Sequence, residues 1–557
     1  MLKLSVEHNF LVLVEVVKVK GFLFSSSKLK SMRGASFLLD RLNLEKAPEL
    51  FKDYEEDNKA EKIYFAGANN KAIFADKQDA QDFVAELKAA YENQAPGVKL
   101  VTVIEEIKDG ENLSDVMQRG MNEVKKSKNE GFTKNVAANS FAKYCPVCGE
   151  NPVNQYSKDI EKLLCFECDK KIENGKEINR LKKVGSDKLG FKDFIYNMFF
   201  EEVEREVSDV DVNQINLPKT ISDIADDNNY IGFIYADGNR IGSFLQDFNN
   251  NHLKGITKNE DYINLQQTFS SSLDLSTKKS VIKATIKHFK DEIERSQQDN
   301  KVLPIEFVLA GADDLMMIVP GNKALEVAKT FVEEFEYDIN QRLAEEEKLK
   351  DIIDSGTRIT TSAGIAIAKP SYPASFLFDY SAQLLKQAKV RSNILFKSYQ
   401  DQAGVKSNYC TIDFDIIGDS SVRDVKDKRK ELYQKDDTYL TLRPYIAAKE
   451  KEEELSDLLY LDYLIETVRD LKQKSFPKVK LRQFFDALQL EKNEAILESL
   501  RLSSRLSNDE HQDLIKGLYE KRAEKQGVFP WLKLDEDAKF LTTDILDVVE
   551  AYDFIKE

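Results

Sequence analysis

Two stretches of the chain repeat one pattern of apolar and polar positions. Ile63-Tyr-Phe-Ala-Gly-Ala-Asn-Asn-Lys-Ala-Ile-Phe-Ala75 and Phe307-Val-Leu-Ala-Gly-Ala-Asp-Asp-Leu-Met-Met-Ile-Val319 each set a turn centred on Ala-Gly-Ala and two Asx residues between β-rich apolar runs. That is the signature of a β-hairpin. Apolar positions at helical spacing follow both: Ala80, Phe83, Val84, Leu87 and Tyr91 after the first, Leu325, Val327, Ala328, Phe331 and Phe335 after the second. A strand (Phe10 to Val17) and a helical stretch (Ser27 to Leu42) precede the first hairpin, and the strand Val98 to Ile104 follows it. The strand Tyr230 to Ala236 precedes the second, and Arg358 to Ala368 follows it, with a helix from about Ser375. The plan is strand, helix, hairpin, helix, strand in both, a ferredoxin-like split βαβ arrangement. The shared Ala-Gly-Ala-Asx-Asx turn marks the two units as a duplication, with Asn69-Asn70 matched to Asp313-Asp314 and Ala68 to Ala312.

Beyond about Val422 the texture changes. Leu458, Leu461, Ile465 and Val468 fall at helix spacing, as do Phe484, Phe485 and Leu488 and then Ile496, Leu497 and Leu500, which predicts a C-terminal helical bundle with turns at Pro477 and Pro530. The run Lys426-Asp-Lys-Arg-Lys-Glu431 reads as a solvated linker. The predicted class is α+β with two ferredoxin-like palm domains. The first spans 1–115, a helical linker region with a four-cysteine module (145–168) spans 116–222, the second palm spans 223–415, and the helical domain spans 416–557.

Composition narrows the function classes. The chain has 557 residues, 42% apolar and 32% charged, enough for several cores. Its net charge of −16 argues against gripping nucleic acid by bulk electrostatics, so any RNA must act through partner proteins or a local patch. The longest apolar run near the start, Phe10 to Val14, is broken by Glu15, and Met1 to His8 carries an acid where a signal peptide is apolar. No membrane association and a cytoplasmic location are expected. Cys145, Cys148, Cys165 and Cys168 are spaced C-x2-C-x16-C-x2-C. That fits one tetrahedral zinc ion with no open position, hence a structural one. Cys410 stands alone and reads as a packed core residue.

The chemistry resides in the second repeat. Its hairpin turn carries Asp313 and Asp314, and its first strand ends in Ala236-Asp237-Gly-Asn-Arg-Ile-Gly242. In a ferredoxin-like sheet that strand neighbours the hairpin, so three carboxylates converge, which is unfavourable without a cation. Strand-end carboxylates completed by substrate phosphates suit Mg²⁺. Gly238 and Gly242 allow close backbone approach to a triphosphate. The first repeat offers Asn69 and Asn70 and no Asp-Gly turn, so it reads as a degenerate copy.

These motifs together resemble the large polymerase/cyclase subunit of type III CRISPR interference complexes, over nearly the whole chain. Gly311-Ala-Asp-Asp314 is similar to that family's GGDD motif and Asp237 to Gly242 to its companion Asp-Gly motif. Lys28-Leu-Lys-Ser-Met-Arg-Gly-Ala-Ser36 resembles the helix start of its first palm. Thr361 to Ile365 with Ala382 to Lys389 resembles its last palm strand and helix. The resemblance implies polymerisation of ATP into cyclic oligoadenylates that activate a downstream effector. It implies partners in the form of a guide RNA–protein complex and target RNA acting through it. Two catalytic Mg²⁺ or Mn²⁺ ions would be held by Asp237 and Asp313 or Asp314. Gly238, Asn239, Gly242, Gly311 and Ala312 are the nucleotide-binding candidates, with Ser362 and Gly364 lining the pocket. Lys389 is either a triphosphate contact or a solvated lysine.

Two departures stand out. The family's His-Asp nuclease pair has no counterpart, since His8, His252, His288 and His511 do not precede Asp, so no nuclease activity of that kind is expected. Ala312 replaces the second glycine of GGDD, and a positive φ there would cost about 1 kcal/mol or more. Ala68, taken as its match, suggests that the turn accepts alanine. Two other readings stay open: a scaffold subunit without synthesis, and a standalone nucleotide cyclase, against which the duplication and the cysteine module argue.

Overall fold

The computed structural model describes the chain apart from residues 1–8, 18, 67–68, 130–141, 159, 177–193, 243, 245–258, 299–300, 347–348, 351–356, 404–407, 419–423, 436, 450, 452–454, 507, 524–528 and 534–539. The Met1–His8 segment, Gly67-Ala68 and His252 therefore lie outside the described residues.

The fold is α+β and duplicated. The first sheet comprises β1 (Phe10–Val17), β2 (Ala60–Ala66), β3 (Asn69–Phe74) and β4 (Lys99–Glu106) in the order β2-β3-β1-β4. Its central strand is apolar at nearly every position because both faces are covered. Leu11 and Leu13 face one core, while Val12, Val14 and Val16 face the other. Under the second face, the rings of Phe51, Phe65, Phe74 and Phe83 meet edge-on or stacked at 5.2–6.0 Å. They pin the helices Ala47–Glu56 and Lys77–Gln94 to the sheet. Each such fully buried ring contributes about 1.5–3 kcal/mol.

Between the palms, β5 (Gln155–Ser157) and β6 (Lys162–Leu164) form a small ribbon. The helix Phe166–Asn174 follows it and packs on the first-palm helix Leu29–Arg41. Contact there is backbone on backbone: a Cβ on Gly34 would fall 1.7 Å from the Lys171 carbonyl oxygen, and one on Gly175 2.2 Å from that of Lys30. The Lys171 ammonium is fully buried and donates to the Phe22 carbonyl at 2.7 Å and to Ser25 Oγ at 2.8 Å.

The second sheet is built from β7 (Ile231–Gly238), β8 (Glu306–Gly311), β9 (Asp314–Pro320), β10 (Thr361–Ala368) and β11 (Thr411–Ile417). Together with β14 (Tyr445–Ile446), which follows the short β12 (Gln434–Lys435) and β13 (Thr438–Tyr439), it has the order β14-β11-β10-β7-β9-β8. The first four strands in chain order reproduce the order of the first sheet. The other two are additions that the sequence pattern did not predict. β11 pairs parallel to β10 and runs across position 415, where a domain boundary was expected, and β14 comes from the segment assigned to the helical domain. Polar and apolar residues alternate along β11, but its polar positions Asp413 and Asp415 are buried and paired rather than solvated.

Their partners correct the linker reading of Lys426–Glu431. These residues lie in a helix, Val425–Leu432. Arg429 holds Asp413 with two bonds of 2.6 and 2.8 Å, and Lys428 reaches Asp415 at 2.7 Å. Arg443 extends the network to Asp547 and Glu550 on the helix Ile545–Ala551. The C-terminal region has the expected helices, Leu461–Gln473, Lys478–Ala487, Lys492–Ser504 and Asp509–Ala523. It also has a three-stranded ribbon, in which β12, β13 and β15 (Leu541–Thr542) pair in that order.

The palms share a core. Phe24 of the first stacks on Phe378 of the second at 5.0 Å between centroids and lies 5.8 Å from Phe233. A buried ion pair crosses the same boundary: Arg33 Nε donates to Glu306 at 2.9 Å, and its guanidinium also reaches the Pro218 carbonyl at 3.0 Å. No described helix is long and apolar enough to cross a membrane.

Candidate active site

Strand order brings the acids to one edge. In the β7–β9 ladder Ala236 lies opposite Leu315, so the next residues outward are Asp237 and Asp314. Gly311 pairs with Asp314, leaving Ala312 and Asp313 as a two-residue turn. Burial raises the Asp313 carboxyl to about 6, reinforced by the charge on Asp237 and opposed by Lys389. Burial raises Asp314 further, to about 8, with Asp237 and Asp313 adding and Lys20 opposing. Oδ1 of Asp314 is buried with no hydrogen-bond partner. A buried carboxylate oxygen without a donor, beside two further acids, fits a hard cation. A Cβ on Gly238 would fall 2.9 Å from Asp313 Oδ2 and 2.6 Å from Ile241 Cγ1, so any larger residue would displace these side chains.

Lys389 is not a free solvated lysine in this structure. It sits on the helix Ala374–Ala403, pairs with Asp237 and donates to the Gly238 carbonyl at 2.8 Å. Asn239, Ser362 and Gly364 lie behind the acids rather than on an open pocket wall. The Asn239 amide donates to Thr360 Oγ1 at 3.0 Å and accepts from Ser362 Oγ at 2.9 Å. A Cβ on Gly364 would fall 2.2 Å from the Ser381 carbonyl, so this glycine serves strand–helix packing. These contacts correct the expectation that Ser362 and Gly364 line a nucleotide pocket. Among the described residues nothing lies within 4 Å of a Cβ placed on Gly242.

Ala312 has φ +50°, the left-handed region anticipated for it. Register corrects the match to the first hairpin, however. There Ala66 pairs with Asn69, and each hairpin carries its bulge after the third pair, at Ile63 and Val308. By that register Asn69 corresponds to Asp314 and Asn70 to Leu315. Ala68, the residue matched to Ala312, lies outside the described residues. The repeated pentapeptide is offset by one residue in the fold, a slip invisible without the strand pairing.

Several residues beside the site carried no sequence signal. Lys20, from the first palm, donates to the Tyr235 hydroxyl at 2.8 Å and lies over the Tyr235 and Phe378 rings. Asp274 and Lys278, on the helix Asn259–Gln298, form a pair at 2.7 Å. Burial raises the Asp40 carboxyl to about 7, with Lys278 opposing and Asp274 adding. These side chains and the Gly311–Asp314 turn enclose a cavity of about 150 Å³ between the palms. Only long-range packing assembles them, so no motif could have marked them.

Away from this site, Cys145, Cys148, Cys165 and Cys168 present four sulfurs all within 4.8 Å of one another. Cys148 and Cys165 Sγ are 3.8 Å apart, the separation that two ligands of a tetrahedral ion with bonds of about 2.3 Å would have. The cluster could hold a zinc ion. Cys410 is buried, as expected.

The architecture is that of a two-palm protein in which one palm carries converging carboxylates. Residues 230–394 match the family model described as Cas10/Cmr2, second palm domain. No curated protein matches the sequence. Among solved structures, a Csm1–Csm4 cassette in complex with pppApApA aligns over 98% of this chain and 69% of that chain, at 13% identity and a TM-score of 0.50. The cassette in complex with cA4 aligns over 69% of this chain and 53% of that chain, at 13% identity and a TM-score of 0.39. The chain thus spans about half the length of the chain in that second structure. Its carboxylate-bearing unit matches the Cas10/Cmr2 second palm domain.

Proposed function

We propose that this chain is a metal-dependent nucleotidyltransferase that joins ATP into short, cyclic oligoadenylates as a subunit of an RNA-guided type III CRISPR complex. The observation that carries this reading is the convergence of Asp237, Asp313 and Asp314, with a buried Asp314 oxygen lacking any donor. Divalent cations held by these three carboxylates would activate a ribose hydroxyl and neutralise charge on the α-phosphate and leaving pyrophosphate. The chain's own residues do the remaining work. Gly238 clears space for Asp313, and the Asn239–Ser362 pair anchors the strand end behind Asp237. Lys389, now on Asp237, is placed to turn to a triphosphate once cations take over that carboxylate. Lys20 brings positive charge from the first palm toward Asp314. The cassette that aligns over nearly the whole chain is a complex with pppApApA, a short adenylate chain of the kind that would precede a cyclic product.

At about 150 Å³ the inter-palm cavity is below the ~300–1,000 Å³ of ordinary ligand pockets, so a change in the angle between the palms would enlarge the space for a triphosphate. That is where a guide complex bound to target RNA would act. The four-cysteine cluster would carry one structural zinc, checked by elemental analysis. The domain limits of 1–115, 116–222, 223–415 and 416–557 stand as part of this proposal, with β11 and β14 extending the second palm.

The test is incubation of the chain with each labelled nucleoside triphosphate and Mg²⁺ or Mn²⁺, alone, with a guide complex, and with guide complex plus matching RNA. Cyclic oligoadenylate that rises with matching RNA is expected. Equal yield in all three arms would favour a standalone synthase, and no product in any arm a scaffold.

A further inference from the structure

The turn that carries the acids holds an alanine in a backbone conformation that L-residues avoid. Ala312 has φ +50°, at the first central position of a two-residue hairpin turn, where glycine is the usual choice. Something must offset the preference of Ala312 to leave this region, because a flipped turn would redirect Asp313 and Asp314.

The helix Asn259–Gln298 supplies both halves of such a restraint. The Ala312 N–H donates to Asp274 Oδ1 at 2.9 Å. The Ala312 carbonyl accepts from Thr277 Oγ1 at 2.6 Å. Asp274 and Thr277 are three residues apart and so share a helix face. Lys278 fixes the other oxygen of Asp274 at 2.7 Å. Gly311 completes the fit, since a Cβ there would crowd Asp274 Oδ1 at 3.2 Å. The peptide groups on both sides of one strained residue are thus tied to a single rigid element, and neither tie touches the carboxylates.

We propose that Asp274 and Thr277 are positioning residues that lock Ala312 in the left-handed region and thereby aim Asp313 and Asp314. The assignment rests on the nucleotidyltransferase reading for its consequence in catalysis and on geometry alone for the lock itself. It explains how a chain with alanine at this turn keeps the arrangement of its acids.

The test uses the full chain in the assay above and reads the lock separately by hydrogen exchange. In the wild type the Ala312 amide should exchange at least tenfold more slowly than in Asp274→Ala. Equal exchange would overturn the lock whether or not the chain makes product. With ATP, Asp274→Ala combined with Thr277→Val should lower kcat at least tenfold and leave KM within twofold. Asp274→Asn, which keeps an acceptor for the amide, should stay within threefold of wild type. Adding Ala312→Gly to the double variant should recover at least threefold of the loss, because glycine accepts a positive φ unaided. An undiminished kcat in the double variant, or no recovery on adding glycine, would overturn the positioning role. Should the wild type make no product, the nucleotidyltransferase reading fails and the exchange data alone decide the lock.

Discussion

The two palms place a lysine on a strand-end acid in the same way, yet only one assembles a carboxylate cluster. Glu15 in β1 stands opposite Asn69, where Asp237 in β7 stands beside Asp314. Glu15 is paired by Lys128 from the helix after β4, and Asp237 by Lys389 from the helix after β10. What differs is the hairpin. Asn69 is an amide where Asp314 is an ionisable carboxyl, and Asn70 is buried and donates to Asn43 Oδ1 at 3.2 Å. The comparison teaches that the first palm kept the scaffold of the site, down to its bulge and its lysine, and lost only the charges that a cation needs. Its retained surface supplies Lys20, Asp40 and Asn69 to the cavity facing the second palm's acids.

The sharpest way to break this comparison is to exchange the charges. Asp313→Asn with Asp314→Asn should lower product formation by about a thousandfold or more, about 4 kcal/mol at the barrier. The thermal midpoint should be unchanged or higher, since two buried carboxyls whose ionisation burial opposes are removed. Adding Asn69→Asp to that variant should restore nothing, because one acid beside Glu15 does not rebuild the cluster. Recovery of synthesis would show the first palm to be catalytically competent.

The next largest effect concerns the junction between the palms. Arg33→Met leaves Glu306 buried without its partner and should cost about 3–5 kcal/mol in urea unfolding. A change below about 1 kcal/mol would mean that the shared apolar core alone joins them.

The paired lysines give a smaller, more discriminating contrast. Lys389→Met should reduce kcat/KM for ATP about tenfold, about 1.4 kcal/mol, and Lys128→Met should leave it within twofold. Equal effects would make both lysines structural. Smallest of all, Asn69→Ala should change product formation by less than threefold, measured with saturating ATP. A loss as large as that of the Asp pair would move the chemistry to the first palm.

The duplication, the acidic pair, the Asp237 strand end and the cysteine spacing were legible from residue order, because each is a local pattern. Strand periodicity is set by the two-residue repeat of the backbone, and the thiol pairs depend on turns of a few residues. The same local logic misled where register mattered. The repeated Ala-Gly-Ala-Asx-Asx string aligned Asn69 with Asp313, and only the ladder, with its bulge, matched Asn69 to Asp314. β11 was missed although Thr411 to Ile416 alternates polar and apolar, and only the fold shows that Arg429 and Lys428 neutralise its buried Asp413 and Asp415.

By itself, then, the order of residues determined two ferredoxin-like units, the palm that bears the acids, and a thiolate cluster between them. Tertiary structure alone decided which hairpin positions correspond, that Ser362 and Gly364 serve packing, that Lys389 rests on Asp237, and that Lys20, Asp274 and Thr277 attend the acidic turn. The reason is range. Periodicity, turn chemistry and ligand spacing act over a handful of residues, whereas Lys389 meets Asp237 from 152 residues away and Lys20 meets Tyr235 from 215, contacts that form only when the two cores pack.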